Sequence, residues 1–370
     1  MKPFAIGWGI LLISASFATA QPAEPVEKNS TSIWSPKAAA GYLDSRQLWW
    51  QGWDRAQKDH GTTCVSCHTV LPYALGRPAL RRALGEQKPS PAELTMLSYV
   101  EKRATLWDEV EPFYKEERGV GKEAQSRGTE SIFNALILSR YDAAAGGHMR
   151  DITRKAFGSV WALQIQSGAS AGSWNWINFD NGPWESNESQ YWGSTLAALA
   201  IGGAPDAYRK EPGIQAGVDS LRGYLKREYA AQPLINKVSA LWAASVLDGI
   251  LSAEERKELA SALASKQQKD GGWSLTDLGA WKRHDNTPLE TRPDGFATGL
   301  TALALRESGV AARDSRSLQQ ALNWLAANQQ TEDGLWPAWS INKQRDPKSD
   351  IGKFMTDAAT AYAVLALEKK

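Results

Sequence analysis

Three stretches of this chain share one pattern, in which an alanine- and leucine-rich segment leads through a glutamine to a glycine and a tryptophan. They read Gln268-Lys-Asp-Gly-Gly272-Trp273, Gln330-Thr-Glu-Asp-Gly334-Leu-Trp336 and, more loosely, Gln164 to Gly168 followed by Gly172-Ser-Trp174. After a connecting stretch, each is followed by a second segment rich in small residues. Repetition of this kind indicates stacked two-helix units, because one unit alone cannot bury its apolar face.

Extending the same register along the chain predicts six pairs, each made of an outer and an inner helix. The outer helices are expected near residues 37–57, 91–107, 149–166, 211–229, 252–268 and 314–330. The inner helices are expected to begin near Val70, Arg127, Ser189, Asn236, Asp294 and Met355. The repeat therefore predicts an all-α fold over residues 36–370.

The Gln-x-x-x-Gly-Trp turns resemble the QW motifs of the squalene-hopene cyclase and protein prenyltransferase superfamily. The resemblance covers most of the chain from about Pro36 onward and implies the (α/α)6 toroid of that superfamily. It does not extend to cyclase chemistry, because the Asp-x-Asp-Asp and Asp-Cys-Thr-Ala-Glu signatures do not occur in the chain. Asp294 and Asp357 stand singly at inner-helix starts, where an acidic residue most often favours the helix dipole. A terpenoid cyclase is not expected.

The stretch QKDHGTTCVSCHT, residues 57–69, holds both cysteines of the chain. The spacing of Cys64, Cys67 and His68 is typical of a c-type haem attachment site, in which two thiols add to the vinyl groups and the histidine ligates the iron. A disulfide here would close a very short loop and so constrain little of the unfolded chain. A structural zinc would need about four ligands, and the rest of the chain offers three histidines and no further cysteine. The motif predicts one covalent haem c in a segment of about residues 57–90, with His68 as the proximal iron ligand.

The spacing from Gln57 to Gly61 matches that from Gln268 to Gly272, so the motif is expected in the turn after the first outer helix. The alternative is a small class I cytochrome domain over residues 36–119, followed by a toroid of fewer repeats. Pro72 and Pro78 weigh against a regular first inner helix, because proline interrupts helices.

By analogy with the superfamily, the long connections 174–188, 273–293 and 336–353 are expected to surround a central cavity. Their aromatic and polar side chains suit a polar organic ligand or a carbohydrate. The alternative is that the tryptophans fasten neighbouring repeats to one another.

The sixth ligand of the iron is expected to be a methionine or a histidine. The register leaves two on the expected side of the ring, Met355 as the first candidate and His284 as the second. The alternative for Met355 is an ordinary core methionine.

Residues 1–20 read as a signal peptide, with Lys2, an apolar stretch and a small-x-small ending at Ala20. Residues 21–35 are expected to be a flexible segment. The sequence thus predicts a periplasmic or secreted protein with no membrane span after cleavage. A net charge of +1 leaves no electrostatic basis for nucleic-acid binding.

The sequence accordingly favours an electron-transfer protein or redox subunit that docks an unidentified partner protein. The alternative is a haem-dependent oxidoreductase that acts on a small substrate. A third hypothesis is a structural receptor in which the haem is incidental. No arginine and histidine pair of the peroxidase type is found, which favours electron transfer.

Overall fold

The computed structural model describes Met1 and residues 34–310 and 315–368, which form helices and one two-stranded sheet. The outer helices are α1 (Pro36–Gly52), α3 (Pro91–Thr105), α5 (Asp151–Ala162), α8 (Pro212–Glu228), α10 (Ala253–Lys266) and α12 (Arg316–Ala327). The inner helices are α2 (Val70–Ala83), α4 (Lys122–Ala144), α6 (Ser189–Gly202), α9 (Leu234–Ala243), α11 (Gly295–Ser308) and α13 (Phe354–Leu367). A short α7 (Asp206–Arg209) precedes α8, and β1 (Gln57–Lys58) pairs antiparallel with β2 (Thr62–Thr63). The predicted all-α toroid is confirmed.

The inner helices form a closed ring. In ring order α2 packs on α4, α4 on α6, α6 on α9, α9 on α11, α11 on α13, and α13 on α2 again. Helices surrounded on all sides must be apolar on all sides, and nearly every residue of α11 and α13 is buried. Close approach of these two helices depends on Gly299, where a Cβ atom would lie 2.7 Å from the backbone nitrogen of Ala363. The described residues from Trp34 onward form one compact unit.

The motif tryptophans fasten each turn to the outer helix that precedes it. Trp174, Trp273 and Trp336 are fully buried, and each donates its indole N–H to a carbonyl near the end of that helix, over 2.6–2.8 Å. A buried indole N–H needs such a partner, which fixes the ring relative to the helix. These three tryptophans are structural, as the alternative interpretation of the sequence held.

The motif glutamines join each turn to the outer helix that follows. Gln164 donates to the carbonyl of Gly217 in α8, Gln267 to that of Ser317 in α12, and Gln329 to that of Ser35. Ser35 caps the N-terminus of α1, so the last of these bonds closes the outer ring. In two repeats the joining glutamine is one residue earlier than the sequence pattern indicated, which named Gln268 and Gln330.

The motif glycines lie where each turn touches the next outer helix. Gly172, Gly271 and Gly334 have φ of 95°, 97° and 76°, and a Cβ atom on any of them would clash with backbone of that helix. The first repeat differs. Gly61 has φ of 63° but open space around it, and Gln57 is exposed and donates to the carbonyl of Gln51. The shared spacing therefore produces a β-hairpin there instead of a QW-like turn.

The two prolines do not interrupt α2. Pro72 lies in its first turn, where the missing N–H costs no hydrogen bond, and the helix continues through Pro78 to Ala83.

The predicted signal peptide lies outside the described residues apart from Met1, and so does the predicted flexible segment apart from Trp34 and Ser35. Trp34 packs on Trp336 with ring centroids 5.8 Å apart. Within the described ranges, no helix combines the length and the apolar character that crossing a bilayer requires.

Candidate functional site

The Cys-Val-Ser-Cys-His segment follows the β-hairpin and leads directly into α2. The backbone N–H of Cys64 donates to the carbonyl of Ala56, and the indole N–H of Trp50 donates to the carbonyl of Cys64, each over 2.9 Å. The hydroxyl of Ser66 accepts from the backbone N–H groups of Thr69 and Val70, which ties the segment to the start of α2. Local bonds thus hold the whole segment in place.

The structure brings Cys64, Cys67 and His68 together on the wall of one small cavity of about 40 Å³, beside Tyr114 and Glu185. Both thiols are free and buried. Burial raises the pKa of Cys64 to about 11 and that of Cys67 well above its usual value. The thiols are therefore uncharged near neutral pH and poor nucleophiles.

Glu185 is the acidic side chain of this cavity, and no sequence motif pointed to it. Its backbone is fixed by reciprocal hydrogen bonds with Asn181, each 2.8 Å long. Burial raises the pKa of its carboxyl group to about 7, and the positive charge of Lys122 offsets this only partly. A carboxyl group with a pKa near neutrality is suited to proton transfer.

The imidazole of His68 lies among aromatic rings. It stacks on Phe354 with centroids 3.7 Å apart, meets Trp50 edge-on at 5.1 Å, and lies 6.2 Å from Trp184. Burial and the nearby charge of Arg46 lower the pKa of His68 to about 3. The ring is consequently neutral at physiological pH.

Asp357, at the start of α13, is the centre of a buried polar network that reaches His68. Its carboxylate accepts from Thr69 Oγ1 (2.7 Å), Tyr42 OH (2.7 Å) and Arg46 Nε (2.8 Å). Because the Thr69 hydroxyl donates to Asp357, it accepts from His68 Nδ1, 2.8 Å away. This places the imidazole proton on Nδ1 and leaves Nε2 as an acceptor. From its position in the sequence, Asp357 was expected only to favour the helix dipole.

The prediction of one covalent haem c is corrected by the structure. Among the residues it describes, no group of three or more histidine, cysteine, aspartate or glutamate side chains could hold a metal ion. The cavity at Cys64, Cys67 and His68 encloses about 40 Å³, whereas pockets for small molecules and cofactors typically enclose about 300–1,000 Å³. Phe354 also covers one face of the His68 ring. The site does not fit a porphyrin.

The two candidates for a sixth ligand do not line the cavity of His68. Met355 is buried in the core at the start of α13. His284 is exposed, and its Nε2 lies 2.8 Å from the carbonyl oxygen of Asp180. Met355 thus occupies a core position, and His284 belongs to the contacts between two long connections.

The three long connections meet one another at the end of the ring where the inner helices begin. The Asn342 amide donates to the carbonyl of Gly182 over 2.7 Å, and the backbone N–H of His284 donates to the carbonyl of Asn342. The Arg283 guanidinium donates to the carbonyl of Ser340. These connections cover that end of the ring.

A much larger groove lies between α1 and the connections near α12 and α13, and it encloses about 1,380 Å³. Tyr42 and Arg46, both buried and bonded to Asp357, contribute to its lining. The partly exposed ring of Trp339 also lines it, with the Arg292 guanidinium 4.0 Å from the ring centroid. Charged side chains of both signs also line it, namely Asp270, Glu332, Asp333, Lys348 and Lys353.

Comparisons with known proteins add little to this geometry. No protein-family model matches the chain, and no curated protein matches it. Among solved structures, it is similar to a glycosyl hydrolase family 88 protein from Bacteroides vulgatus, with 10% sequence identity and a TM-score of 0.36, over 91% of this chain and 92% of that chain.

Proposed function

We propose that this chain is an exported α/α-toroid protein that binds a polar organic molecule, of the carbohydrate class, in the groove between α1 and the connections near α12 and α13. The observation that carries the proposal is the groove itself, which combines a partly exposed tryptophan ring with charged groups of both signs. A tryptophan offers an apolar face to the C–H groups of a sugar, and charged side chains hydrogen-bond to its hydroxyl groups.

The floor of the groove supports the proposal because it is rigid. Tyr42 and Arg46 are each held by Asp357, and Arg46 also donates to Asp350 over 2.8 Å. Polar groups fixed in this way recognise a ligand without a large cost in side-chain ordering. The exposed charges at the rim then select for a polar ligand over an apolar one.

Export is supported by the sequence of residues 1–20. The glutamine and tryptophan bonds of the turns support a toroid of the squalene-hopene cyclase and prenyltransferase kind. The electron-transfer and oxidoreductase hypotheses both depend on a haem at Cys64, Cys67 and His68, where the cavity encloses about 40 Å³.

The proposal is tested by screening the purified mature protein on a glycan array and measuring the affinity of the best glycan by calorimetry. Trp339→Ala should weaken binding at least tenfold, a change of about 1.4 kcal/mol in binding free energy. Trp107→Ala is the matched control, because Trp107 also pairs with an arginine, Arg127 at 4.8 Å, but does not line the groove. The proposal fails if the array shows no ligand, or if both variants bind as tightly as the wild type.

A further inference from the structure

A second pocket lies at the opposite end of the ring, where the inner helices end. It encloses about 260 Å³ and is lined by residues of α2, α4, α11 and α13 and by Trp242 of α9. Leu75, Val246, Leu303 and Leu365 make its walls largely apolar. The pocket shares no lining residue with the groove of the proposed function.

Three arginines line this pocket, and two of them have clear structural partners. Arg306 donates to the carbonyls of Leu365, Ala366 and Glu368, which are left unpaired at the end of α13. Arg82 donates to the carbonyl of Pro78, one turn earlier in α2. These two cations compensate helix ends and do not require a ligand.

Arg140 differs from the other two arginines. Its Nε is buried and has no hydrogen-bond partner among the residues described. Its guanidinium lies over the ring of Trp242, 5.9 Å from the centroid. Burial lowers the pKa of Arg140, and the negative charge of Glu307 offsets this only in part. A partly buried cation without a hydrogen-bonded anion is unfavourable, so an anion that reached Arg140 would be stabilised there.

We propose that this pocket binds a small organic monocarboxylate with an apolar body, and that Arg140 receives the carboxylate. A guanidinium and a carboxylate form two parallel hydrogen bonds, and the terminal amino groups of Arg140 would donate them, because its Nε is inaccessible. The volume of about 260 Å³ lies just below the range of about 300–1,000 Å³ for drug-sized ligands, so the ligand is small. Glu307 and Glu368 also line the pocket and disfavour a second negative charge on the ligand.

The test uses benzoate and hexanoate with the intact mature protein, by calorimetry and by the rise in melting temperature. Benzyl alcohol and hexan-1-ol have nearly the same shape without the charge, and they should bind at least tenfold more weakly. Arg140→Met should lose at least tenfold in carboxylate affinity, whereas its melting temperature in the absence of ligand should change little, because Nε makes no hydrogen bond and the contact with the Trp242 ring is long, at 5.9 Å. Arg154→Met, on an exposed arginine paired with Glu211, is the control and should bind like the wild type.

Arg140→Lys gives a second measurement that does not depend on how the methionine variant folds. It keeps the positive charge but loses the paired donors, so its affinity should fall between those of the wild type and Arg140→Met. The proposal is overturned if neither carboxylate binds the wild type, if the alcohols bind as tightly, or if both Arg140 variants bind as the wild type does. Because the glycan groove shares none of these residues, either proposal can fail without the other.

Discussion

Replacing Glu185 by glutamine should make the protein more stable at neutral and alkaline pH. The partly buried Glu185 lines a cavity with two uncharged thiols, and desolvation there raises the pKa of its carboxyl group in the folded protein from 4.5 to about 7. Glutamine keeps the shape of the protonated side chain and cannot ionise. The substitution therefore removes the cost of burying a charge while leaving the cavity filled.

The sign of the effect follows from proton linkage. Below pH 4.5 Glu185 is protonated in both the folded and the unfolded chain and makes no difference. Between pH 4.5 and about 7 the unfolded chain ionises while the folded chain stays neutral, so the free energy of unfolding falls as pH rises. At roughly 1.4 kcal/mol for each pKa unit, the wild type loses about 3 kcal/mol over this window. Glu185→Gln should not show this loss.

The assay is guanidinium denaturation of both proteins at several pH values, followed by fluorescence and by circular dichroism. The two probes must give coincident transitions before a free energy is extracted. His68, with its pKa lowered to about 3, also affects stability between pH 3 and 6.5, but it is present in both proteins and cancels in the comparison. A difference between the proteins that does not change from pH 4.5 to 8 would refute the raised pKa of Glu185.

Three further predictions concern the network, the ring and the thiols. Asp357→Asn should lower the free energy of unfolding by about 3 kcal/mol, because it leaves a buried arginine without its main counter-ion; an effect below 1 kcal/mol in denaturant titrations would contradict the network. Gln329→Ala should lower the free energy of unfolding by about 2 kcal/mol in the same measurement, because the buried Gln329 bonds to Ser35. Gln330→Ala, at the exposed neighbouring position, should lower it by under about 0.5 kcal/mol. Equal losses would show that the Gln329 side chain does not close the ring. Cys64 and Cys67 should react with a thiol reagent such as Ellman's reagent only after unfolding, because both are buried with raised pKa values; rapid reaction of the native protein would place them at the surface.

The fold was predictable because the residues that join the repeats recur at a fixed spacing in the sequence. A tryptophan that recurs in three turns, such as Trp273 and Trp336, leaves a visible spacing in the sequence. The exact joining glutamine was not predictable, because Gln267 and Gln268 are adjacent and only the direction of the side chains distinguishes them. Gln267 reaches α12, whereas Gln268 reaches the carbonyl of Thr291 in its own connection.

The candidate site was less predictable, because it depends on contacts between distant parts of the chain. Tyr42 and Asp357 are 315 positions apart and meet only because the last repeat lies beside the first. The pKa of Glu185 depends on burial by elements that carry no motif. The Cys-x-x-Cys-His spacing is a local feature that predicted haem, but the space needed for a porphyrin depends on Phe354 and other side chains from elsewhere in the chain.

The closed ring also determines when the chain can finish folding. An open superhelix of repeats can add units one after another as synthesis proceeds. In this protein the bond between Gln329 and Ser35 joins residues 294 positions apart, and α2 lacks its neighbour α13 until almost the whole chain has been made. The apolar surface of the first repeat therefore stays uncovered until the last repeat has been synthesised. Removing α13 would expose the faces of both α2 and α11 that it covers, so the loss of this one helix would uncover apolar surface in the first repeat as well as in the fifth.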